Sequence, residues 1–144
     1  MSTALIPVDG SDAAFRAVRR FADLVRDTPR TDAILMNVEP ALPFVDRLAG
    51  GSPDAERRFL QPLRDKAEAL VAPARAELER AGVHVIVAVE FGDPAETIVA
   101  RAKDWDADLI VMGSDRRGAI GSRLPGSVAQ RVLRLSELPV LLVK

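Results

Sequence analysis

The feature that most constrains the fold of this chain is a regular alternation of short apolar segments with helical patterns. Five segments have the length and aliphatic content of buried β-strands, and an amphipathic helical pattern separates each from the next. The segments are Ala4 to Val8, Ala33 to Val38, Val83 to Phe91, Leu109 to Met112 and Pro139 to Val143. Apolar strands joined by helices are typical of a parallel sheet that is covered on both faces. We therefore predict a single doubly wound α/β domain over residues 1–144, with a five-stranded parallel sheet and helices on both faces.

Local signals predict where the helices begin and where they are disturbed. Asp9-Gly10-Ser11 supplies a turn and a cap ahead of the first helix. Asp93-Pro94-Ala95-Glu96 combines an N-cap, a proline at the first helical position and a glutamate three residues after the cap. A long helical pattern in the middle of the chain contains Pro62 and Pro73. Because an interior proline costs about 3 kcal/mol in a regular helix, we expect a break near Pro62 and a kink near Pro73.

The segment between the second strand and the long helix, residues 39–53, is predicted to be a connection. It holds three prolines and a Gly-Gly pair and few apolar anchors. We expect it to be the least ordered part of the chain and to lie where it could cover a ligand at the sheet.

Composition narrows the class of protein. Apolar residues make up 48% of the chain and charged residues 28%, and the net charge is −1, so no global basic field would recruit nucleic acid. No apolar run approaches the roughly 20 residues that span a bilayer, and the first residues do not resemble a signal peptide. There is no cysteine, and the one histidine, His84, lies alone in the third strand, where we interpret it as structural. We expect a cytoplasmic protein that contacts neither membrane nor nucleic acid.

The sequence contains no arrangement typical of an enzyme active site. No Ser-His-Asp set, pair of catalytic carboxylates or metal-binding cluster is apparent. We therefore expect no enzymatic activity beyond, at most, slow hydrolysis of ATP.

The most informative segment is LIVMGSDRRGAIGSRLPGSV, residues 109–128. An apolar strand leads into a basic loop that contains glycines, and the loop closes at Gly126-Ser127, where a helical pattern starts. A helix that begins in this way can hold an anion, because its first backbone N–H groups are free and the glycines allow close approach. Two alternatives stay open here. The segment is also compatible with an ordinary connection whose glycines, Gly113 and Gly126, serve only a positive φ, and its arginines with a solvated loop.

Three segments carry a resemblance to a known family. They are ALIPVDGSDAAFRAV at the start, GDPAETIVARAKDWDADLIVMGS in the third quarter and GSVAQRVLRLSELPVLLVK at the end. In this order and at these spacings, the chain resembles the universal stress protein family over essentially its whole length. The resemblance implies an α/β fold with strand order 3-2-1-4-5 that binds adenine nucleotides, is usually dimeric and acts in stress responses without a fixed chemistry. In that order, ligands are expected where strands 1 and 4 end side by side.

The resemblance also implies site residues, position by position. Nucleotide-binding members carry a glycine, two residues, a second glycine, nine residues, and a glycine followed by serine or threonine. Gly113 and Gly126-Ser127 match this pattern, but the second glycine position is Arg116. Asp9 matches an aspartate near the adenine and ribose, although turn chemistry alone would also explain it. The predicted binding residues are Pro7, Val8, Asp9, Val38, Met112, Gly113, Arg116, Gly126, Ser127 and Val128.

Two functions therefore stand side by side. The first is a regulatory module that binds ATP or another adenine nucleotide, with or without Mg²⁺. The second is a dimeric stress-response scaffold that has lost tight nucleotide binding through Arg116. A left-handed backbone at a non-glycine residue costs about 1–2 kcal/mol, whereas a hydrogen bond from arginine to a phosphate contributes about 1.5–3 kcal/mol. In either case we expect a homodimer through the apolar last strand, Pro139 to Val143, which lies at the sheet edge in the family's strand order.

Overall fold

In the computed structural model, which describes residues 2–28, 30–40, 53–114 and 126–144, five parallel strands alternate with helices. The elements are β1 (Ser2–Pro7), α1 (Asp12–Val25), β2 (Thr31–Glu39), α2 (Gln61–Arg80), β3 (His84–Phe91), α3 (Pro94–Asp104), β4 (Leu109–Gly113), α4 (Ser127–Leu135) and β5 (Val140–Val143). The strands pair in the order β3-β2-β1-β4-β5, and each pair is parallel. The predicted fold class and strand order are confirmed.

Two apolar layers hold the helices on opposite faces of the sheet. Side chains alternate along β1, so that Ile6 points into one layer and Leu5 into the other. The first layer joins the sheet to α1 and α2 through residues such as Phe21 and Leu78. The second joins it to α3 and α4 through residues such as Ile98. Helices therefore cover both faces, as the unbroken apolar runs predicted.

Strand β3 departs from the expectation of a buried apolar strand. It lies at one edge of the sheet, and Ile86 is 51% exposed whereas Val85, on the other face, is buried. Arg101 of α3 reaches this open face, where its Nε lies 3.3 Å from Glu90 Oε2. Position at the edge, which an apolar run does not encode, decides the exposure of alternate residues.

The long helix begins close to the predicted break. A single α-turn (Pro53–Ala55) and a π-helical turn (Glu56–Leu60) precede α2, and Pro62 lies in the first turn of α2. A proline is tolerated there because the N–H it lacks would have no partner in the helix. Pro73 lies inside α2, which continues to Arg80, and the kink stays a prediction. Most of the predicted connection, residues 41–52, lies outside the described residues.

None of the helices in the described ranges has both the length and the apolar character that a bilayer crossing requires.

The core predicts a sharp contrast between two leucines. Leu78 is fully buried between α2 and the sheet, whereas Leu24 on α1 is 51% exposed. We expect Leu78→Ala to lower the free energy of unfolding by about 2–5 kcal/mol through lost burial and a residual cavity. The matched Leu24→Ala should change it by less than about 0.5 kcal/mol. Urea denaturation of both variants checks this, and equal losses would contradict the assigned core.

Candidate functional site

The strand order creates a divergence between β1 and β4. These strands lie side by side, but β1 leads into α1 on one face whereas β4 leads to α4 on the other. Connections that leave in opposite directions open a crevice at the carboxyl ends of the strands, where ligands of such folds bind.

A cleft of about 210 Å³ occupies this crevice. Nine of the ten predicted site residues line it, and the tenth, Arg116, lies outside the described residues. The nine are Pro7, Val8, Asp9, Val38, Met112, Gly113, Gly126, Ser127 and Val128. The structure thus brings together residues from three strand ends and one helix start. Whether they bind a ligand stays a prediction.

Several lining residues were not predicted. Met36 precedes Val38 by two positions on β2, so the two-residue period of a strand could have indicated it. Pro94 and Ile98 come from α3, which the chain places far from the other lining segments, and only helix packing brings them to the cleft. Ser11, Ala13 and Ala14 from the start of α1 were not predicted either, and Ala129 follows Val128 in the lining.

One wall of the cleft is apolar. Met36, Val38, Ile98 and Met112 all line it and belong to the layer between the sheet and helices α3 and α4. Such a wall favours a flat, weakly polar ring system over a small ion.

The start of α4 also lines the cleft. Gly126 is its N-cap, with φ −61° and ψ 167°, and among the described residues no side chain caps the helix. By contrast, Ser11 Oγ accepts a hydrogen bond from Ala14 N in α1, and the Asp93 carboxylate accepts one from Glu96 N in α3. Within the described part of the chain, the first backbone N–H groups of α4 therefore have no side-chain cap, and such groups favour an anion.

The two glycines serve purposes other than a positive φ. The φ of Gly126 is −61°, which any residue adopts, and Gly113 is not among the residues with a positive φ. A Cβ on Gly113 would lie 2.2 Å from the carbonyl oxygen of Ala13, so the end of β4 is in backbone contact with the first turn of α1. The interpretation that these glycines serve a positive φ is wrong at both positions.

Asp9 takes part in turn chemistry and still faces the cleft. Its Oδ1 accepts a hydrogen bond from Ser11 N at 2.9 Å, and within the described residues its other oxygen has no hydrogen-bond partner. The preceding residue is fixed from β2, because Val8 N donates to Met36 O and the buried Asn37 Nδ2 donates to Val8 O, each at 2.8 Å. The carboxylate thus lines the cleft with one oxygen that has no partner among the described residues.

The rim also carries an ion pair. Arg131 of α4 donates to both carboxylate oxygens of Asp93, which lowers the pKa of Asp93, and the backbone hydrogen bond from Glu96 lowers it further. The hydrogen bond to Asp93 raises the pKa of Arg131. Both groups are therefore charged at neutral pH.

Metal ligation finds no support in this part of the molecule. Among the described residues, no group of three or more His, Cys, Asp or Glu side chains is arranged to hold a metal ion. His84 is largely exposed at the start of β3, where its Nδ1 lies 3.5 Å from Asp32 Oδ1. This is the opposite end of the strands from the cleft.

Comparison with known proteins decides the family. The model of the universal stress protein family matches residues 1–144. The chain belongs to the universal stress protein family. A universal stress protein of Thermus aquaticus is 38% identical over 99% of this chain and 98% of its own length. A solved structure of a Methanocaldococcus jannaschii protein has a TM-score of 0.80 at 28% identity, over 99% of this chain and 95% of that one.

A further solved universal stress protein is similar to this one. It is a crystal structure in complex with cAMP, with a TM-score of 0.69 and 25% identity over 99% of this chain and 96% of that one. The family resemblance predicted from three sequence segments is thereby confirmed over the whole chain.

The contact at Gly113 generates a testable contrast in this universal stress protein. We expect Gly113→Ala to lower the free energy of unfolding by about 1–3 kcal/mol, because the new methyl group overlaps the Ala13 carbonyl and forces a backbone shift. At Gly82 no atom lies within 4 Å of a built Cβ, but φ is +82°, so Gly82→Ala should cost only about 1–2 kcal/mol of backbone strain.

Thermal and urea unfolding of the two variants measure the difference. A crystal structure of Gly113→Ala should show α1 displaced from β4. An undisplaced helix would contradict the close approach.

Proposed function

We propose that this universal stress protein is a regulatory module that binds an adenine nucleotide, with ATP the first candidate, in the cleft between β1 and β4. The observation that carries the proposal is that the start of α4, which no side chain among the described residues caps, lines the same cleft as an apolar wall. An apolar wall beside free backbone N–H groups suits a ligand with a flat base at one end and phosphate at the other.

The base and ribose would occupy the strand side of the cleft. Met36, Val38 and Ile98 would offer apolar contact to adenine, and the Asp9 oxygen that has no partner among the described residues would accept a hydrogen bond from a ribose hydroxyl. Support for the ligand class comes from the family, since the similar protein described above was crystallised with cAMP.

The phosphates would lie at the α4 side. Backbone N–H groups of Ser127, Val128 and Ala129 and the Ser127 hydroxyl are the donors we propose, with Arg116 adding a positive charge from the loop. Any Mg²⁺ would bind mainly to phosphate oxygens and water, as Mg²⁺ commonly does. We propose no catalytic activity beyond slow hydrolysis of ATP. We also propose that the protein acts in the stress response through its bound nucleotide.

Substitutions at the start of α4 test the proposal. Gly126→Val should abolish ATP binding while the protein stays folded, because a branched side chain blocks close approach to the backbone. Ser127→Ala should weaken binding by about 1 kcal/mol, the net value of one hydrogen bond. The matched control is Ser2→Ala, which should bind ATP as the parent does. Ser2 is exposed at the start of β1, at the opposite end of the strand from the cleft. Isothermal titration with ATP and circular dichroism provide the measurements.

Arg116→Gly separates the two functions that the sequence left open. If Arg116 contacts phosphate, the glycine variant binds ATP more weakly and with a flatter salt dependence. If Arg116 impairs the site, the variant binds more tightly. Absence of ATP binding in both the parent and Arg116→Gly would overturn nucleotide binding and leave the scaffold function.

We further propose that the protein is a homodimer through β5. This strand pairs with β4 on one side, and all four of its apolar residues are only partly buried. Leu133 and Leu135, at the end of α4 just before β5, are 44% and 48% exposed. Covering an apolar edge strand removes an aggregation hazard, and a second copy of the strand is the simplest cover.

Sedimentation equilibrium tests the assembly. At micromolar concentration we expect a single species with twice the mass of the chain, unchanged by ATP. A monodisperse monomer would exclude the proposed interface.

A further inference from the structure

Two helices that line the cleft are joined at its rim by an ion pair. Arg131 Nη1 donates to Asp93 Oδ1 at 2.8 Å and to Oδ2 at 3.0 Å, and Arg131 Nη2 lies 3.6 Å from Glu96 Oε1. Asp93 is also the N-cap of α3, through its hydrogen bond from Glu96 N at 3.0 Å. One carboxylate therefore both starts α3 and ties it to α4.

The position of this pair relates it to the cleft. Pro94, the residue after Asp93, lines the cleft together with Ile98 one turn later. Arg131 follows Ser127 by four residues, so the two residues lie on the same side of α4. Ser127 lines the cleft, and Arg131 lies about one turn further along the helix. The pair thus spans the two helical walls just outside the space between them.

We propose that the Asp93–Arg131 ion pair is a positioning brace, which holds the first turn of α3 against α4 and so fixes the width of the cleft. The effect of the brace on ATP binding rests on the proposed nucleotide site, whereas its effect on the position of α3 against α4 does not. Neither residue lines the cleft, so both act through Pro94, Ile98 and the start of α4.

The brace can fix the position of α3 against α4 while it contributes little to the free energy of unfolding. The two side chains are 39% and 44% exposed, and ion pairs at that exposure contribute little to global stability. The guanidinium nevertheless has two anchors, since Nη1 donates to both oxygens of Asp93 and Nη2 lies near Glu96, which restricts its orientation as well as its distance. The apolar contacts that α3 and α4 share in one layer, such as those of Ile98 and Val132, are non-directional by comparison.

A purely electrostatic role makes a different prediction at Asp93. If the pair mattered only through its charge near an anionic ligand, removing the Asp93 carboxylate would strengthen ATP binding. If the pair is a brace, removing either partner weakens binding. Asp93→Asn is the informative variant because asparagine is also a good N-cap. Its one oxygen can keep the cap on Glu96 N, whereas its amide nitrogen cannot accept the hydrogen bond from Arg131, and the ion pair is lost.

The experiment compares Asp93→Asn, Arg131→Gln and the double variant in the full chain. We expect each single variant to bind ATP about two- to fivefold more weakly, and the double variant to be no weaker than either, since one interaction is lost in all three. In the absence of ATP, the amides of Thr97 to Val99 in α3 should exchange with solvent faster in all three.

The matched control is Arg101→Gln. Arg101 also lies on α3 and pairs with Glu90 and Asp104, but not with α4. It should leave ATP affinity unchanged. Stronger ATP binding by Asp93→Asn, or amide exchange at Thr97 to Val99 that no brace variant changes, would overturn the brace. If the parent does not bind ATP, the proposed function fails. The brace is then judged by amide exchange alone: faster exchange at Thr97 to Val99 in the three variants supports it, and unchanged exchange overturns it.

Discussion

The structure depends on the burial of β1 from both faces at once. Ala4, Leu5 and Ile6 have no exposed surface, and β1 is paired on both sides, to β2 and β4. A strand in this position needs an apolar layer above and below it, which accounts for helices on both faces. The chain then continues from β1 and β4 to helices on opposite faces of the sheet, and the cleft lies where the two connections diverge. The cleft is therefore a consequence of having helices on both faces.

Sequence reasoning was most successful where the chemistry is local. The capping sequence at Asp93 predicted the start of α3, and the apolar runs predicted the five strands to within two residues at either end. It failed where burial depends on lateral position, as at Ile86 on the edge strand. The residues lining the cleft divide in the same way. Those at strand ends followed from pattern and resemblance, whereas Pro94 and Ile98 reach the cleft only through packing between helices.

Gly113 shows that the structure can give a glycine a role that its sequence context does not indicate. The sequence marks it as a glycine that ends a strand, and a positive φ or a phosphate are the obvious explanations. The structure adds a third, a backbone contact between β4 and α1 that excludes a side chain. That contact joins residues a hundred positions apart, so no local pattern could reveal it. Gly126, in contrast, starts a helix that no side chain among the described residues caps, although a side-chain cap there would stabilise the helix.

The contact between Gly113 and Ala13 also determines how the cleft can adapt. Two backbones already touch at its floor, and close-packed backbone does not compress. A larger ligand would therefore find no room between the end of β4 and the first turn of α1, and it would press on the walls formed by α3 and α4. The Asp93–Arg131 ion pair would resist that pressure, so the backbone contact and the ion pair together would limit the size of a ligand that fits.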